Sequence, residues 1–173
     1  GVTRRGSYAA YLDMSHPEIE EFLDVRKPTG GDINRKSTNL HHGVVIGDDF
    51  MELIERATRT AGFDDSWDLI DPHTNAVVKT VSAKALWVKL IQNRVETGEP
   101  YIMFGDTVDE ATPEYQKKLG LKVRQSNLCS EITLPTDKDR TAVCCLSSVN
   151  LEEYDEWKDN DQFIPDLIRM LDN

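Results

Sequence analysis

The sequence has few cysteines, a deficit of positive charge and no long apolar segment. Two of its three cysteines are adjacent, which is a poor basis for a disulfide framework and favours a reducing, cytoplasmic compartment. The longest uninterrupted apolar runs are five residues, whereas a helix across a bilayer needs about 20, so no membrane association is expected. Lys and Arg number 20 against 31 Asp and Glu, a net charge of −11. This balance argues against nucleic-acid binding, because such proteins concentrate positive charge.

The 173 residues are enough for one domain, and 39% of them are hydrophobic, so a folded core is expected. Short apolar strands alternate with amphipathic helices, an order typical of α/β proteins. The predicted strands are 7–12, 40–46, 101–104 and 142–146, with a hairpin over 67–80; helices are predicted to begin near 17, 48, 83 and 163. Residues 105–127 lack periodicity and are predicted to form a long loop, which in a compact domain is usually functional or disordered.

Local signals mark where the helices begin and end. Ser82 is predicted to cap the strongest helix, and Gly98 with Pro100 is predicted to end it. Asp48 and Asp49 are predicted to cap the helix before it. The histidines form no spaced ligand set with cysteine or carboxylate, and are interpreted as capping or surface residues. They are His16, His41, His42 and His73.

One polar segment could carry chemistry. If it is extended, Asn127, Cys129 and Glu131 face the same way, because alternate residues of a strand share a face. An amide can hold a hydroxyl group, a carboxylate can take its proton, and a thiol can do nucleophilic or redox work. A buried cysteine in a polar turn is the alternative interpretation. Cys144 and Cys145, in a predicted strand, are interpreted from the pattern alone as core residues.

The motif Asn127-Leu128-Cys129-Ser130-Glu131 with the later Ala142-Val143-Cys144-Cys145-Leu146 closely resembles the catalytic large subunit of ribonucleotide reductase. Two upstream segments agree in order, one from Arg4 to Leu23 and one from Glu96 to Tyr101. The resemblance covers essentially residues 1–157. It is specific because several independent segments occur in the right order.

The resemblance implies part of a ten-stranded α/β barrel with a finger loop through its centre. Residues 1–173 would be a partial catalytic barrel domain, with the finger-loop region at about 105–140. Cys129 would be a shielded thiol at the fingertip. Cys144 would lie on a neighbouring strand, with Cys145 on the opposite face of that strand. The second reducing cysteine, most allosteric loops and the substrate-phosphate loop of the family lie outside the chain, so an isolated, inactive fragment is expected.

The resemblance also implies a role for each candidate residue. In the family, the cysteine matching Cys129 becomes a thiyl radical that abstracts the ribose 3′-hydrogen. The carboxylate matching Glu131 removes the 3′-hydroxyl proton, and the amide matching Asn127 binds the substrate hydroxyls. The cysteine matching Cys144 and a second cysteine supply two electrons and become a disulfide, while the 2′-hydroxyl leaves as water. The implied enzyme is a ribonucleoside-diphosphate reductase, which makes deoxyribonucleotides for DNA synthesis.

Cofactors and partners follow from the same resemblance. No cofactor is expected in this chain, since a separate metal-containing small subunit supplies the radical and an external thioredoxin or glutaredoxin supplies electrons. The substrate would be a ribonucleoside diphosphate, and nucleotide effectors would bind the full-length protein. A partial barrel leaves strand edges unpaired, so a homo-oligomer is expected. The alternatives are a cobalamin-dependent radical source, a non-catalytic interaction module, or one piece of a naturally split reductase.

Overall fold

The structure of the protein is a computed structural model that describes residue 3 and residues 5–172. Arg4, part of the motif resemblance, lies outside the described residues. The chain divides into two units, Gly1–Arg140 and Thr141–Asn173. Helices and strands alternate through the first unit, so the predicted α/β order is confirmed.

A parallel three-stranded sheet lies at the centre of the first unit. Its strands are β1 (Ala9–Asp13), β2 (His41–Ile46) and β5 (Tyr101–Phe104), with β2 in the middle. Tyr11 pairs with Gly43 in the register of β1 and β2. Parallel neighbours need long crossover connections, and here the crossovers contain helices. The strands predicted at 7–12, 40–46 and 101–104 are therefore confirmed.

Helices cover one face of this sheet. They are α1 (Ile19–Leu23), α2 (Asp48–Arg59) and α3 (Ala83–Thr97). Val44 and Ile46 of β2 are fully buried in a core with side chains from all three helices. These helix residues include Ile19, Leu23, Phe50, Ile54, Leu86 and Leu90. Because successive strand residues point to opposite faces, the residues alternating with this set lie on the face away from the helices.

The predicted hairpin and the helix after it are confirmed. Strands β3 (Ser66–Ile70) and β4 (Val77–Ser82) pair antiparallel, and α3 follows directly. The Ser82 hydroxyl accepts a hydrogen bond from the Ala85 backbone N–H at 3.0 Å, as an N-cap side chain does. At the other end Gly98 has the left-handed φ of 79° that terminates many helices.

Two predictions in this unit were wrong. Residues 105–127 contain the short helices α4 (Gly105–Ala111) and α5 (Glu114–Lys118) instead of a continuous loop. Neither helix has a buried residue, so the apolar periodicity that reveals a helix in sequence is missing. Helix α2 begins after Gly47, and Asp48 and Asp49 lie in its first turn, where their charge favours the positive end of the helix dipole.

The second unit contains α6 (Tyr154–Trp157) and the predicted C-terminal helix, α7 (Phe163–Asp172). The rings of Trp157 and Phe163 stack with centroids 5.2 Å apart. The buried strand predicted at 142–146 is wrong, since these residues are exposed and the described part of this unit contains no strand. An apolar run becomes a buried strand only where a partner strand is present. In the described part of the chain, no helix is long and apolar enough to cross a membrane.

Candidate functional site

A turn carries the predicted radical cysteine. The Ser130 backbone N–H donates to the Asn127 carbonyl at 3.1 Å, which places Leu128 and Cys129 at the two central positions. Ser130 then adopts a left-handed φ of 64°. The predicted extended arrangement of Asn127, Cys129 and Glu131 is therefore wrong, because a turn reverses the chain between them.

Hydrogen bonds join the two arms of this turn at its base. The Asn127 side-chain oxygen accepts from the Ile132 backbone N–H at 3.1 Å. The Ser126 hydroxyl donates to the Ile132 carbonyl at 2.6 Å. Both hydrogen bonds cross the base of the turn, so residues 127–131 form a closed loop.

The turn meets the sheet on the face away from the helices. The Tyr11 hydroxyl of β1 lies 3.3 Å from the Ser130 hydroxyl. Tyr11 pairs with Gly43, and Gly43 precedes the core residue Val44, so the Tyr11 side chain points away from the helical layer. Cys129 is thus carried to the side of the sheet that the described helices α1, α2 and α3 leave uncovered.

A cavity of about 320 Å³ lies beside this contact at the carboxyl ends of the parallel strands. Asp13 and Val45 line it from the sheet, and residues 122–124 line it from the segment that leads to the turn. Val123 is buried, and its backbone N–H donates to the Asp109 carboxylate of α4 at 3.1 Å. Helix α4 therefore anchors the approach to the turn, although no local pattern in the sequence predicts that helix.

The candidate side chains are not enclosed in this structure. Cys129 and Glu131 are exposed and Asn127 is half-buried. The expectation of a shielded thiol at Cys129 is therefore wrong for this chain, because three parallel strands form an open sheet and an open sheet cannot surround a loop.

The other two cysteines belong to the second unit. Cys144 and Cys145 are exposed free thiols outside any strand. The predicted placement of Cys144 on a strand, and of Cys145 as a packing residue on its opposite face, is wrong. Both expectations depended on 142–146 finding a partner strand, and that segment has none in the described structure.

Sequence reasoning missed a buried ionic cluster at the amino ends of β2 and β5. The Glu99 carboxylate accepts from the His42 backbone N–H at 3.0 Å and lies 3.0 Å from His42 Nδ1. It also lies 2.5 Å from His41 Nδ1 and 3.2 Å from the Arg26 guanidinium. His42 is fully buried, so its interpretation as a capping or surface residue is wrong.

Burial and pairing shift the pKa values of this cluster. Burial lowers the pKa of His42 below its ordinary value of 6.5, against the opposing effect of the Glu99 carboxylate. Burial alone would raise the pKa of Glu99. The His42 backbone N–H, both imidazoles and Arg26 outweigh that effect and hold this pKa below 4.5. Among the described residues, no group of three or more His, Cys, Asp or Glu side chains could hold a metal ion.

Comparison with known proteins relates the whole chain to one family. The ribonucleotide reductase barrel domain matches residues 1–173. A Frog virus 3 (isolate Goorha) protein is 54% identical over 173 residues, which are 100% of this chain and 29% of that protein. The ribonucleoside-diphosphate reductase large subunit of Invertebrate iridescent virus 3 is 46% identical, and the alignment covers 100% of this chain and 35% of that subunit.

A solved structure is also similar. The alpha subunit of the Actinobacillus ureae class Id ribonucleotide reductase superposes with a TM-score of 0.63 at 36% sequence identity. The superposition covers 90% of this chain and 25% of that subunit. The chain thus spans only 29% and 35% of the two viral relatives above.

Proposed function

The chain belongs to the ribonucleotide reductase barrel-domain family, and from that premise we propose that the full-length protein reduces ribonucleoside diphosphates to deoxyribonucleotides. The observation that carries the proposal is the family match over all 173 residues, which includes the Asn127-Leu128-Cys129-Ser130-Glu131 motif. In this proposal the fold is a section of the catalytic barrel, and the open face of the sheet is the inner face.

The proposed mechanism uses thiyl-radical chemistry. Cys129, as a thiyl radical, takes the ribose 3′-hydrogen, and Glu131 accepts the 3′-hydroxyl proton. The 2′-hydroxyl then leaves as water. Cys144 and a second cysteine outside this chain supply two electrons and two protons and become a disulfide. One proton completes the departing water, and the other, with the two electrons, forms the new hydrogen at C2′. Glu131 returns its proton to the 3′-oxygen, and Cys129 returns the hydrogen atom to C3′ and becomes a thiyl radical again.

Asn127 is proposed to bind the substrate hydroxyls through its amide nitrogen. Its side-chain oxygen already accepts from the Ile132 backbone N–H at 3.1 Å. Its amide nitrogen makes no hydrogen bond within the described part of the chain, which leaves two donors for a ligand. One side chain can therefore hold the turn and orient the substrate.

The proposed partners are those the chemistry requires. A separate metal-containing small subunit generates the radical, and a thioredoxin- or glutaredoxin-type thiol reduces the disulfide after each turnover. We propose that nucleotide effectors bind the full-length protein, that the protein forms homo-oligomers, and that it acts in the cytoplasm. If turnover requires adenosylcobalamin instead of the small subunit, the assignment of the radical source is wrong.

Activity of the full-length subunit tests the function. With the small subunit, a nucleoside diphosphate and a thiol reductant, the unmodified protein should form deoxynucleotide. Cys129→Ser should abolish product, because a serine hydroxyl does not form the required radical. Cys145→Ser is the matched control and should retain turnover, since no role is assigned to that thiol. Normal turnover by Cys129→Ser would refute the mechanism, whereas no turnover by the unmodified protein would favour a non-catalytic interaction module.

A further inference from the structure

The contact between β1 and the Cys129 turn points to a positioning residue. We propose that Tyr11 holds the turn that carries Cys129 in place on the sheet, through the hydroxyl of Ser130. The proposal rests on the proposed reductase function and adds to it a residue outside the catalytic motif. Tyr11 acts through the turn and does not touch substrate, so it is distinct from Asn127, Cys129 and Glu131.

The backbone of the sheet fixes the Tyr11 side chain. Tyr11 lies opposite Gly43 in the β1–β2 register. A Cβ atom added at Gly43 would overlap the Tyr11 ring, so the ring lies directly over the glycine backbone. Tyr11 is partly buried there, whereas Tyr8, just before the strand, is 76% exposed. The absence of a side chain at Gly43 therefore allows the ring to lie flat with its hydroxyl directed at the turn.

A contact that fixes Ser130 also restricts the position of Cys129, because the two residues are adjacent in one closed turn. Ser130 follows Cys129 directly and closes the turn through its backbone N–H to Asn127. Its φ of 64° is a conformation that non-glycine residues seldom adopt without surrounding support. The base of the turn is held at Ile132 by Asn127 and Ser126. Tyr11 adds a contact at Ser130, the residue directly after Cys129.

The size of the expected effect follows from the type of contact. A neutral hydrogen bond is worth on the order of a two- to tenfold change in an equilibrium. A catalytic group displaced by about 1 Å can lose far more rate than that. Tyr11 contacts the turn next to Cys129, whereas Asn127 is held separately by the Ile132 backbone N–H, so kcat should fall by a larger factor than KM rises.

The test uses the full-length subunit with three variants. Tyr11→Phe keeps the ring over Gly43 and removes only the hydroxyl, and Ser130→Ala removes the other partner. Tyr8→Phe is the matched control, because it removes an equivalent hydroxyl that does not contact the turn. Reductase kcat and KM are measured together with amide hydrogen exchange at Ser130 and Ile132, whose backbone N–H groups close the turn.

Tyr11→Phe and Ser130→Ala should each lower kcat about two- to tenfold and speed exchange at both amides by a similar factor. The double variant should be no worse than either single variant, since both remove the same contact. Tyr8→Phe should match the unmodified protein. Additive losses in the double variant, or a fall in kcat with unchanged exchange, would overturn the positioning role.

Hydrogen exchange separates this proposal from the proposed function. If the unmodified protein has no reductase activity, the proposed function fails, and exchange at Ser130 and Ile132 alone decides whether Tyr11 holds the turn. If the unmodified protein is active and Tyr11→Phe changes neither kcat nor exchange, only the positioning role is wrong.

Discussion

At the scale of single residues, the Glu99 cluster shows how burial sets the charge of a side chain. His42 is buried among apolar residues, with its ring 5.1 Å from that of Phe22, and its Nε2 has no hydrogen-bond partner in the described structure. Protonation would place a positive charge in this buried site, where the loss of hydration and the nearby Arg26 outweigh the attraction of the Glu99 carboxylate and lower the pKa of His42. The neutral ring instead donates from Nδ1 to Glu99 and ties β2 to the segment before β5.

This cluster predicts that the first unit loses stability in mild acid. The pKa of His42 is below 6.5 in the folded chain, so below about pH 6.5 the unfolded state binds more protons. The contribution of His42 to the free energy of unfolding should therefore be complete above about pH 6.5 and should decrease as the pH falls. The pKa of Glu99, which is also lowered, adds a further loss below about pH 4.5. Denaturant unfolding between about pH 8 and about pH 3 measures both.

The variant His42→Asn should flatten the first part of this profile. Its amide nitrogen can replace Nδ1 at Glu99 but does not titrate, so overall stability falls while the loss between about pH 7 and pH 5 disappears. His73→Asn, which removes an imidazole from the exposed hairpin turn, should keep the profile of the unmodified chain. An unchanged slope in His42→Asn would show that another group causes the acid sensitivity.

At the scale of elements, α3 is the helix whose sequence signals and structure agree best. Ser82 caps it, Gly98 ends it, and Leu86 and Leu90 lie in the core. Each signal is local: a cap hydroxyl, a residue that tolerates positive φ, and apolar residues spaced by one helical turn. Helices α4 and α5 lack buried residues, so only the caps could have revealed them, and neither has a side-chain cap.

Gly98→Ala should destabilise the first unit by about 1 kcal/mol, because an alanine pays a steric penalty at a left-handed φ. A Cβ at this position would meet no atom within 4 Å, so the loss is conformational and not a clash. Gly6→Ala is the control, since its added Cβ would make only an ordinary contact with Tyr8 at 3.8 Å. Chemical denaturation of both variants measures the difference, and equal stabilities would contradict the explanation.

At the scale of the whole molecule, the open parallel sheet explains why strand edges are unpaired and why Cys129 is exposed. β1 and β5 are the outer strands of the parallel sheet, and each has one neighbour in the described structure. Barrels remove such edges by closure, and unpaired edges invite pairing with another chain. The same openness leaves Cys129 exposed, where the family resemblance predicts a shielded thiol.

We therefore expect this 173-residue chain to self-associate. Light scattering across a concentration series should show a mass that rises with concentration, because each sheet edge can pair with another copy. A shorter chain that ends at Arg140 keeps both edges and should associate to the same extent. If the shorter chain does not associate, the association of the whole chain is due to exposed apolar side chains of the second unit. A monodisperse monomer at high concentration would contradict the prediction for the whole chain.

The sequence by itself determined the features that depend on neighbours along the chain. These are the strands β1, β2 and β5, the hairpin, the ends of α3, and the motif around Cys129 that identifies the family. Their signals are caps, turn residues and periodic apolar spacing, which act within a few residues. The net charge of −11 argued against nucleic-acid binding, and the three cysteines argued against a disulfide framework. Neither property indicated a reaction.

Only the tertiary structure decided which distant residues meet. It brought Glu99 to His41 and His42, and Tyr11 to Ser130, across sequence separations of 57 to 119 residues. It also left 142–146 exposed, because burial of an apolar run depends on a partner strand supplied from elsewhere in the chain. A contact of this kind depends on where whole elements pack, and no local pattern in the sequence specifies that position.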